Sequence, residues 1–267
     1  MSHALPAPCP DEDVVWRLPE TGSGHTMSLL VLPHAGGNAH AYASWRDALP
    51  SEVRLLIGQY PGRGARFAEP LPTTMADLAG PVVHALPQDI DNLVILGHSM
   101  GALVAFEVAR ALTAAGRPPR ALVASACRAP FLPNPAKVHP ERLTDDELVA
   151  AIKERGGTED GVLDEPELRE IVLPSLRADF ALDDDYRHEG PVRSLSCPVT
   201  VIGGREDPIV PVSALGRWSG VTDGPCSTAT LPGGHFYFQQ QDERFFALLQ
   251  EVLDRAATAP ADRGALV

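Results

Sequence analysis

A serine set between two glycines is the first candidate for chemistry in this chain. The segment "LVILGHSMGALVAFEVARAL", residues 93–112, has an apolar strand that turns at Gly97-His98-Ser99-Met100-Gly101 into a helix. In a G-x-S-x-G turn the glycines leave room for a strained backbone, and the serine hydroxyl is held at the strand end. A hydroxyl is a weak nucleophile unless a base removes its proton. Ser99 is therefore predicted to have a histidine and an acid as partners; a chance match in a turn is the alternative.

Candidates for the base and the acid follow two later predicted strands. "LPGGHFYFQQ" places His235 after two glycines, and "VTVIGGREDPIVP" places Asp207 just beyond a buried strand. In serine hydrolases a histidine accepts the serine proton and a carboxylate orients the histidine. The chain order Ser99, Asp207, His235 is the order found in α/β-hydrolases. We predict that these three residues form a catalytic triad.

Other residues are alternatives for these roles. Glu206 neighbours Asp207 and is the alternative acid. His34 and His98 also follow strands, but each belongs to a tight turn next to the nucleophile, so packing or lining the pocket fits them better than acting as the base. The remaining histidines have no such context and are interpreted as solvated or core residues: His3, His25, His40, His84, His139 and His188.

The elements that must position these residues alternate between strand and helix. Short apolar, β-branched runs separated by helix-like stretches are typical of a parallel sheet buried on both faces. We therefore predict an α/β fold, the α/β-hydrolase fold, with a mostly parallel, doubly wound sheet. The predicted strands lie at about 27–33, 53–59, 93–97, 121–127, 198–204 and 226–232, and the predicted helices at about 39–49, 74–86, 100–115 and 241–257.

The alternation is interrupted over about residues 129–190, where no convincing strand occurs. Thr144 and Glu147 form a capping box that predicts one helix, and a second is predicted to begin near Pro166. We predict a single α/β-hydrolase domain, 1–267, whose helical insertion covers the carboxyl ends of the strands as a lid. A helical insertion with no gating role is the alternative.

The first strand ends in "LPHAGGNAH", residues 32–40, where two successive glycines leave the backbone uncovered by side chains. Acyl transfer passes through a tetrahedral oxyanion, which α/β-hydrolases stabilise with two backbone N–H groups. One belongs to the residue after the nucleophile, here Met100, and the other comes from the loop after an early strand. We predict that Ala35 supplies the second donor, because Gly36 and Gly37 permit an unusual backbone path. A simple tight turn is the alternative.

These motifs together resemble those of a known family. "LPHAGGNAHAYASW", "QYPGRGARFAEP", "GHSMGALVAFEVAR", "GGREDPIV" and "LPGGHFYF" are similar, in this order, to the discrete type II thioesterases of modular polyketide synthases and nonribosomal peptide synthetases. The resemblance implies a serine thioesterase that hydrolyses acyl groups from the phosphopantetheine arm of acyl or peptidyl carrier proteins. It implies editing of stalled or misprimed assembly lines, with the triad and oxyanion hole described above.

One departure separates this chain from the integrated, product-releasing thioesterase domains. In those domains the acid commonly follows the strand after the serine, which here would be "ALVASACRAP", and this segment has no carboxylate. The acid then comes later, at Asp207, as in the discrete editing type. Together with the start at Met1, this favours a free-standing enzyme.

Four residues are candidates for binding the substrate. Arg63 and Arg66 lie in "YPGRGARF" near the expected site rim, where they would meet the phosphate of the arm or acidic carrier residues; ion pairing within the loop is the alternative. Phe236 is a candidate wall of an acyl pocket, or else an anchor of the last helix. His34, beside the predicted donor, either tunes the pocket or packs the turn.

Composition limits the remaining possibilities. The net charge of −13 argues against a general nucleic-acid-binding surface, and no apolar run reaches the roughly 20 residues of a membrane span. The four cysteines are widely separated and form no zinc motif, so we expect no metal and no cofactor. The acidic N-terminus does not resemble a signal peptide. We therefore expect a monomeric, cytoplasmic enzyme.

Two other functions remain open from the sequence. A carboxylesterase or lipase acting on small-molecule esters would use the same triad. A noncatalytic carrier-binding protein of the same fold would need no triad, so the three candidate residues argue against it.

Overall fold

The computed structural model describes residues 14–17, 24–156, 161, 163–240 and 242–258. Within them, seven strands form one sheet in the order β1-β3-β2-β4-β5-β6-β7. Every neighbouring pair is parallel except β1 and β3, which are antiparallel. The strands are β1 Val15–Arg17, β2 Met27–Leu32, β3 Val53–Gly58, β4 Leu93–His98, β5 Ala121–Ser125, β6 Val199–Gly204 and β7 Cys226–Leu231.

The sheet is buried on both faces because its central strands are apolar throughout. Successive side chains of a strand point to opposite faces. In β2, Leu30 and Leu32 accordingly belong to one apolar core, whereas Leu29 and Val31 belong to the core on the other face. Continuous apolar strands of this kind need helices on both sides.

Helices cover both faces of the sheet. Met75, Leu103 and Phe106 pack into the first core, and Trp45 and Phe245 pack into the second. The α-helices are α1 Trp45–Ala48, α2 Met75–Ala85, α3 Met100–Ala114, α4 Asp145–Arg155, α5 Pro166–Asp185, α6 Val212–Leu215, α7 Tyr237–Gln240 and α8 Asp242–Thr258, and short 3-10 helices span Ala39–Tyr42, Gly64–Arg66, Pro140–Arg142 and Gly216–Gly220.

The insertion between β5 and β6 forms a small apolar core of its own. Leu148 and Ile152 of α4 pack with Leu173 and Leu176 of α5. The predicted start of α4 is confirmed by its capping box. The Thr144 side chain accepts a hydrogen bond from the Glu147 backbone N–H, and the Glu147 carboxylate accepts one from the Thr144 backbone N–H. The insertion helices are thus held to each other by their own apolar contacts.

The predicted mostly parallel sheet is confirmed, with two local differences. The edge strand β1 was not predicted, because three residues give too short a pattern. The helix predicted at 39–49 is replaced by a 3-10 turn and the short α1. The Asn38 side chain caps the 3-10 turn by accepting the Ala41 N–H. Pro50 lies just after α1 and cannot continue a helix. Helix α2 continues through Pro81. Residue 241, the predicted start of the last helix, lies outside the described residues.

Candidate active site

Ser99 lies in a strained turn between β4 and α3. Its φ of 55° and ψ of −127° belong to a region that residues other than glycine rarely adopt. Two close backbone approaches make this turn possible. A Cβ atom at Gly97 would lie 2.0 Å from the Gly101 carbonyl oxygen, and one at Gly101 would lie 2.1 Å from the Leu32 carbonyl oxygen. The glycines of the motif therefore let the turn close and let α3 begin against the end of β2.

Replacing Gly101 by Ala is expected to lower the free energy of unfolding by about 3 kcal/mol or more, because backbone rather than a flexible side chain must move. The matched control is Gly216→Ala at the start of the 3-10 helix Gly216–Gly220, where the backbone is right-handed helical (φ −61°, ψ −15°) and a Cβ meets nothing within 4 Å. That variant should raise the free energy of unfolding by about 0.5–1 kcal/mol. Urea unfolding of both variants checks the prediction, and equal effects would contradict it.

The structure brings Ser99, His235 and Asp207 into one hydrogen-bonded chain. His235 Nε2 lies 2.9 Å from Ser99 Oγ, and His235 Nδ1 lies 2.8 Å from Asp207 Oδ2. His235 and Asp207 are buried, whereas Ser99 is partly exposed. The base is thus within reach of the nucleophile, and the carboxylate is within reach of the base.

Local backbone contacts position Asp207 and His235. The N–H groups of Ile209 and Val210 donate to Asp207 Oδ1, at 2.8 and 3.1 Å, so Oδ2 faces the imidazole. The loop that carries His235 passes close to the end of β6, since a Cβ at Gly204 would lie 2.1 Å from the Gly234 carbonyl oxygen. The Glu206 carboxylate instead accepts the Gly233 N–H. The geometry therefore favours Asp207 over Glu206 as the partner of His235.

A cysteine also lies beside Ser99. Cys127 and Ser99 both line one cavity at the site. Burial raises the pKa of the Cys127 thiol to about 12. Since only the thiolate is a strong nucleophile, this thiol is unreactive at neutral pH. Ser99 is the better nucleophile at this site. Cys9, in the N-terminal segment, lies outside the described residues.

The loop after β2 lies beside the nucleophile. Gly37 N–H donates to the His34 carbonyl oxygen at 2.9 Å. Because the carbonyl and N–H of one trans peptide point in opposite directions, the Ala35 N–H is directed away from this turn. Within the described part of the chain it donates no hydrogen bond, and Ala35 lines a cavity together with Ser99. Met100 is the first residue of α3, so its N–H has no acceptor within the helix.

The four candidate substrate residues fall into two pairs. His34 and Phe236 line the cavity beside Ser99, with ring centroids 4.8 Å apart, and Tyr42 OH lies 2.7 Å from His34 Nδ1. Arg63 and Arg66 are buried and hold other groups. Arg63 pairs with Asp179, and Arg66 pairs with a neighbouring glutamate. The alternative of structural ion pairing therefore describes both arginines, and neither is among the residues that line the cavities beside Ser99.

Two cavities flank Ser99. Both are lined by Ser99, His235, Ile209 and Asp183, so they meet at the candidate nucleophile. The first extends past Arg128 and the second past Phe180. The insertion thus supplies part of the wall on both sides of the triad.

Arg128 and Asp183 were not identified from the sequence as residues of the site, although both line a cavity together with Ser99. Arg128 follows β5, and its Nη1 donates to Asp183 Oδ1 of α5 at 2.9 Å. The signal available was positional: Arg128 follows a strand whose carboxyl end lies beside that of β4. Its partner could not be read from the sequence, because Asp183 lies 55 residues away in the insertion.

A second buried polar chain lies behind the triad. His98 Nδ1 lies 2.8 Å from Ser125 Oγ, which in turn lies 2.5 Å from Tyr237 OH. Within the described part of the chain, His98 Nε2 has no hydrogen-bond partner. Burial lowers the pKa of His98 well below its usual value of 6.5, and the nearby rings of His235 and His34 lower it further. His98 is therefore neutral at physiological pH.

This histidine predicts a specific loss of stability in acid. Below pH 6.5 the unfolded chain binds a proton at His98 that the folded chain does not, so stability falls as the pH falls. Between pH 7 and pH 5 the wild-type protein should lose about 1–2 kcal/mol more unfolding free energy than His98→Gln. Urea unfolding at both pH values measures the difference. An equal loss in the two proteins would show that His98 is protonated in the folded state.

Among the described residues, no group of three or more His, Cys, Asp or Glu side chains could hold a metal ion. No described helix is long and apolar enough to cross a membrane.

A mostly parallel sheet that presents Ser, Asp and His in this chain order at its carboxyl edge defines the α/β-hydrolase class. Comparison with known proteins narrows the class. A protein-family model described as "Thioesterase domain" matches residues 27–255, and the chain belongs to this family. The family match confirms that the protein is a thioester hydrolase, as the sequence resemblance implied.

Individual relatives agree with the family match. Thioesterase PikA5 of Streptomyces venezuelae is 39% identical over 218 residues, which cover 80% of this chain and 76% of the relative. The solved type II thioesterase YbtT superposes with a TM-score of 0.81 at 29% identity, covering 92% of this chain and all of YbtT. The type II thioesterase BorB gives a TM-score of 0.78 at 32% identity, covering 90% and 96%. The resemblance to type II thioesterases is thereby confirmed.

Proposed function

We propose that the protein is a discrete editing thioesterase that hydrolyses acyl groups from the phosphopantetheine arm of acyl or peptidyl carrier proteins. The observation that carries this proposal is the hydrogen-bonded chain from Ser99 through His235 to Asp207, which opens into two cavities. Two solved relatives support the choice of substrate. YbtT is described as a type II thioesterase from a yersiniabactin NRPS/PKS pathway, and BorB as one from the borrelidin biosynthetic cluster.

In the first half of the proposed reaction, His235 Nε2 takes the Ser99 proton while Ser99 Oγ attacks the thioester carbonyl carbon. The tetrahedral oxyanion is stabilised by the N–H groups of Ala35 and Met100. When the intermediate collapses, the carbon–sulfur bond breaks and His235 returns the proton to the pantetheine sulfur. The acyl group is then an ester on Ser99, and Asp207 has kept the imidazole oriented throughout.

In the second half, water replaces the serine as the nucleophile. His235 accepts a proton from the water, which attacks the ester carbonyl carbon at the same oxyanion site. Collapse breaks the bond to Ser99 Oγ, and His235 returns the proton to the serine. The products are a free carboxylic acid and a carrier protein with its thiol restored. None of these steps requires a metal or a cofactor.

The proposal treats the insertion over 129–190 as the lid of a single domain, 1–267. In support, residues of α4 and α5 line the cavities beside Ser99, and closed sites of this kind exclude water and hold the substrate. We assign His34 and Phe236 to the wall of the acyl site. We also propose that the enzyme is monomeric and cytoplasmic; one chain supplies all three side chains of the triad, so the triad needs no second copy.

A panel of carrier proteins that bear different acyl groups on phosphopantetheine tests the function. Incubation with the enzyme should lower the mass of the carrier protein by that of the acyl group, leaving the free thiol form. Intact-protein mass spectrometry follows this change directly. If no acyl-carrier protein in the panel lost its acyl group faster than without enzyme, the proposed function would be wrong.

A further inference from the structure

The candidate oxyanion loop is held by the segment that follows β3. Three side chains of this segment bind the backbone of residues 33–39. Tyr60 OH donates to the Pro33 carbonyl oxygen at 3.0 Å, and Arg63 Nη1 donates to the Gly37 carbonyl oxygen at 3.2 Å. Gln59 Oε1 accepts the Ala39 N–H at 2.9 Å. The loop is therefore fixed at both ends and in the middle by side chains from a neighbouring strand end.

One further contact to this loop comes from the insertion. Asp179 of α5 has no exposed surface, and its Oδ2 accepts the Gly36 N–H at 2.7 Å. The same carboxylate receives two bonds from Arg63, at 2.6 Å and 2.8 Å. Asp179 thus connects a helix of the insertion to the peptide that follows Ala35, more than 140 residues earlier in the chain.

Packing places α5 directly against the same peptide. A Cβ atom at Gly36 would lie 2.1 Å from Leu176 Cδ2, so a side chain at this position would require Leu176 to move. The φ of Gly36 is +77°, a conformation that glycine adopts at no steric cost. Leu176 and Asp179 are three residues apart in the helix and therefore share a face. That face contacts the loop through both an apolar contact and a hydrogen bond.

From these contacts we propose that Asp179, held by Arg63, is a positioning residue for the thioesterase reaction: it fixes the Ala35–Gly36 peptide, and with it the oxyanion donor, when α5 is docked. The inference rests on the proposed function, in which the Ala35 N–H stabilises the oxyanion. The Gly37 to His34 hydrogen bond fixes the peptide before Ala35, and Asp179 fixes the peptide after it. The direction of the Ala35 N–H is then set from both sides.

A purely structural ion pair would not require these residue types. Replacing a buried ion pair by apolar side chains of similar volume is often neutral or stabilising, whereas removing one partner leaves a buried charge unpaired. The double variant Arg63→Met/Asp179→Leu removes both charges together with the acceptor for the Gly36 N–H. It should therefore fold, while the peptide after Ala35 loses its hydrogen bond.

The test compares kinetics with stability in this double variant. For an acyl-pantetheine thioester we expect kcat to fall about tenfold to a hundredfold with KM changed less than about threefold, because an oxyanion donor acts in the transition state. The melting temperature should stay close to that of the wild-type protein. The affinity for a trifluoromethyl ketone analogue of the substrate, which forms an oxyanion on Ser99, should fall by the same factor as kcat.

Asp184→Asn is the matched control. Asp184 is a second buried carboxylate of α5, and it accepts backbone N–H groups of Val138 and His139 rather than of the oxyanion loop. This variant should lose stability but keep kcat within about twofold of wild type. A loss of kcat that merely follows stability in both proteins would assign Asp179 a structural role and overturn the inference.

If the double variant fails to fold, Arg63→Lys provides the same test. A lysine ammonium cannot reproduce the fork that holds Asp179 and the Gly37 carbonyl oxygen together. The folded Lys variant should lose about tenfold in kcat with KM unchanged, and wild-type kcat would overturn the inference. The proposed function is judged separately: wild-type activity that depends on Ser99 supports it even when these variants are fully active.

Discussion

Replacement of Ser99 by Ala should lower kcat for thioester hydrolysis by about 10⁴- to 10⁶-fold, the largest effect expected from any single substitution in this chain. The reason is that Ser99 Oγ forms the bond to the acyl carbon in the proposed reaction, and within the described part of the chain no other nucleophilic side chain is hydrogen-bonded to His235 Nε2. His235 Nε2 lies 2.9 Å from this oxygen, and the nearby Cys127 thiol is held protonated by burial. Release of free thiol from an acyl-pantetheine thioester measures the rate.

Ser125→Ala is the control for this variant. Ser125 lies at the end of the neighbouring strand β5 and is bonded to His98 rather than to His235. Its loss should cost stability but leave kcat within about tenfold of wild type, because Ser125 lines neither of the two cavities beside Ser99. Comparable activity in Ser99→Ala and wild type, with both proteins folded by circular dichroism, would rule out Ser99 as the nucleophile.

Asp207→Asn should lower kcat by about 10⁴-fold without unfolding the protein. The asparagine oxygen can still accept the N–H groups of Ile209 and Val210, so its amide nitrogen must face His235 Nδ1. That nitrogen donates, which forces the imidazole into the tautomer with a proton on Nε2. A protonated Nε2 cannot accept the proton of Ser99, so the base is lost while the geometry is kept.

The adjacent glutamate provides a close comparison. Glu206→Gln removes a carboxylate one residue away, whose known contact is the Gly233 N–H. The glutamine oxygen can accept the same bond, so kcat should change by less than about threefold. Steady-state kinetics of the two variants separate the candidate acids. A larger loss in Glu206→Gln than in Asp207→Asn would reverse the assignment.

The hydrogen-bonded arrangement of Ser99, Asp207 and His235 could be predicted from sequence because each of them follows a strand of the parallel part of the sheet. Strands β4 and β6 are buried, whereas the edge strand β7 is partly exposed. In a parallel sheet the carboxyl ends of all strands lie at one edge, so residues just after β4, β6 and β7 must come close together. Chain order then distinguished the roles of Ser99, Asp207 and His235. The glycines of the motif carried equally strong information, since Gly97 and Gly101 meet backbone atoms that leave no space for a side chain.

The role suggested for Arg63 could not be settled in the same way. Its position in "YPGRGARF" correctly indicated a place near the site, but its partner Asp179 lies 116 residues away in the insertion. No local pattern predicts which buried carboxylate an arginine meets across such a distance. The same limit applies to Arg128 and Asp183. Contacts between the insertion and the sheet depend on tertiary packing, which periodicity and motif spacing do not report.

The surroundings of the buried histidine beside the nucleophile could be predicted from the sequence only in part. His98 was expected to pack or to line the pocket, and the structure places it in a buried chain with Ser125 and Tyr237. Tyr237 follows Phe236, which the sequence predicts to be either a wall of the acyl pocket or an anchor of the last helix. Phe236 lines the cavity, whereas Tyr237 is fully buried. Adjacent residues therefore serve different purposes, because α7 turns one of them inward.

A single comparison of substrates tests the central claim most directly. The same acyl group is offered to the enzyme on a phosphopantetheine-bearing carrier protein and as a p-nitrophenyl ester, and kcat/KM is measured for both. We predict a higher kcat/KM for the acyl-carrier protein, despite the greater chemical reactivity of the ester, and loss of both activities in Ser99→Ala. A strong preference for the free ester would instead identify a small-molecule esterase with the same triad and contradict the proposed function.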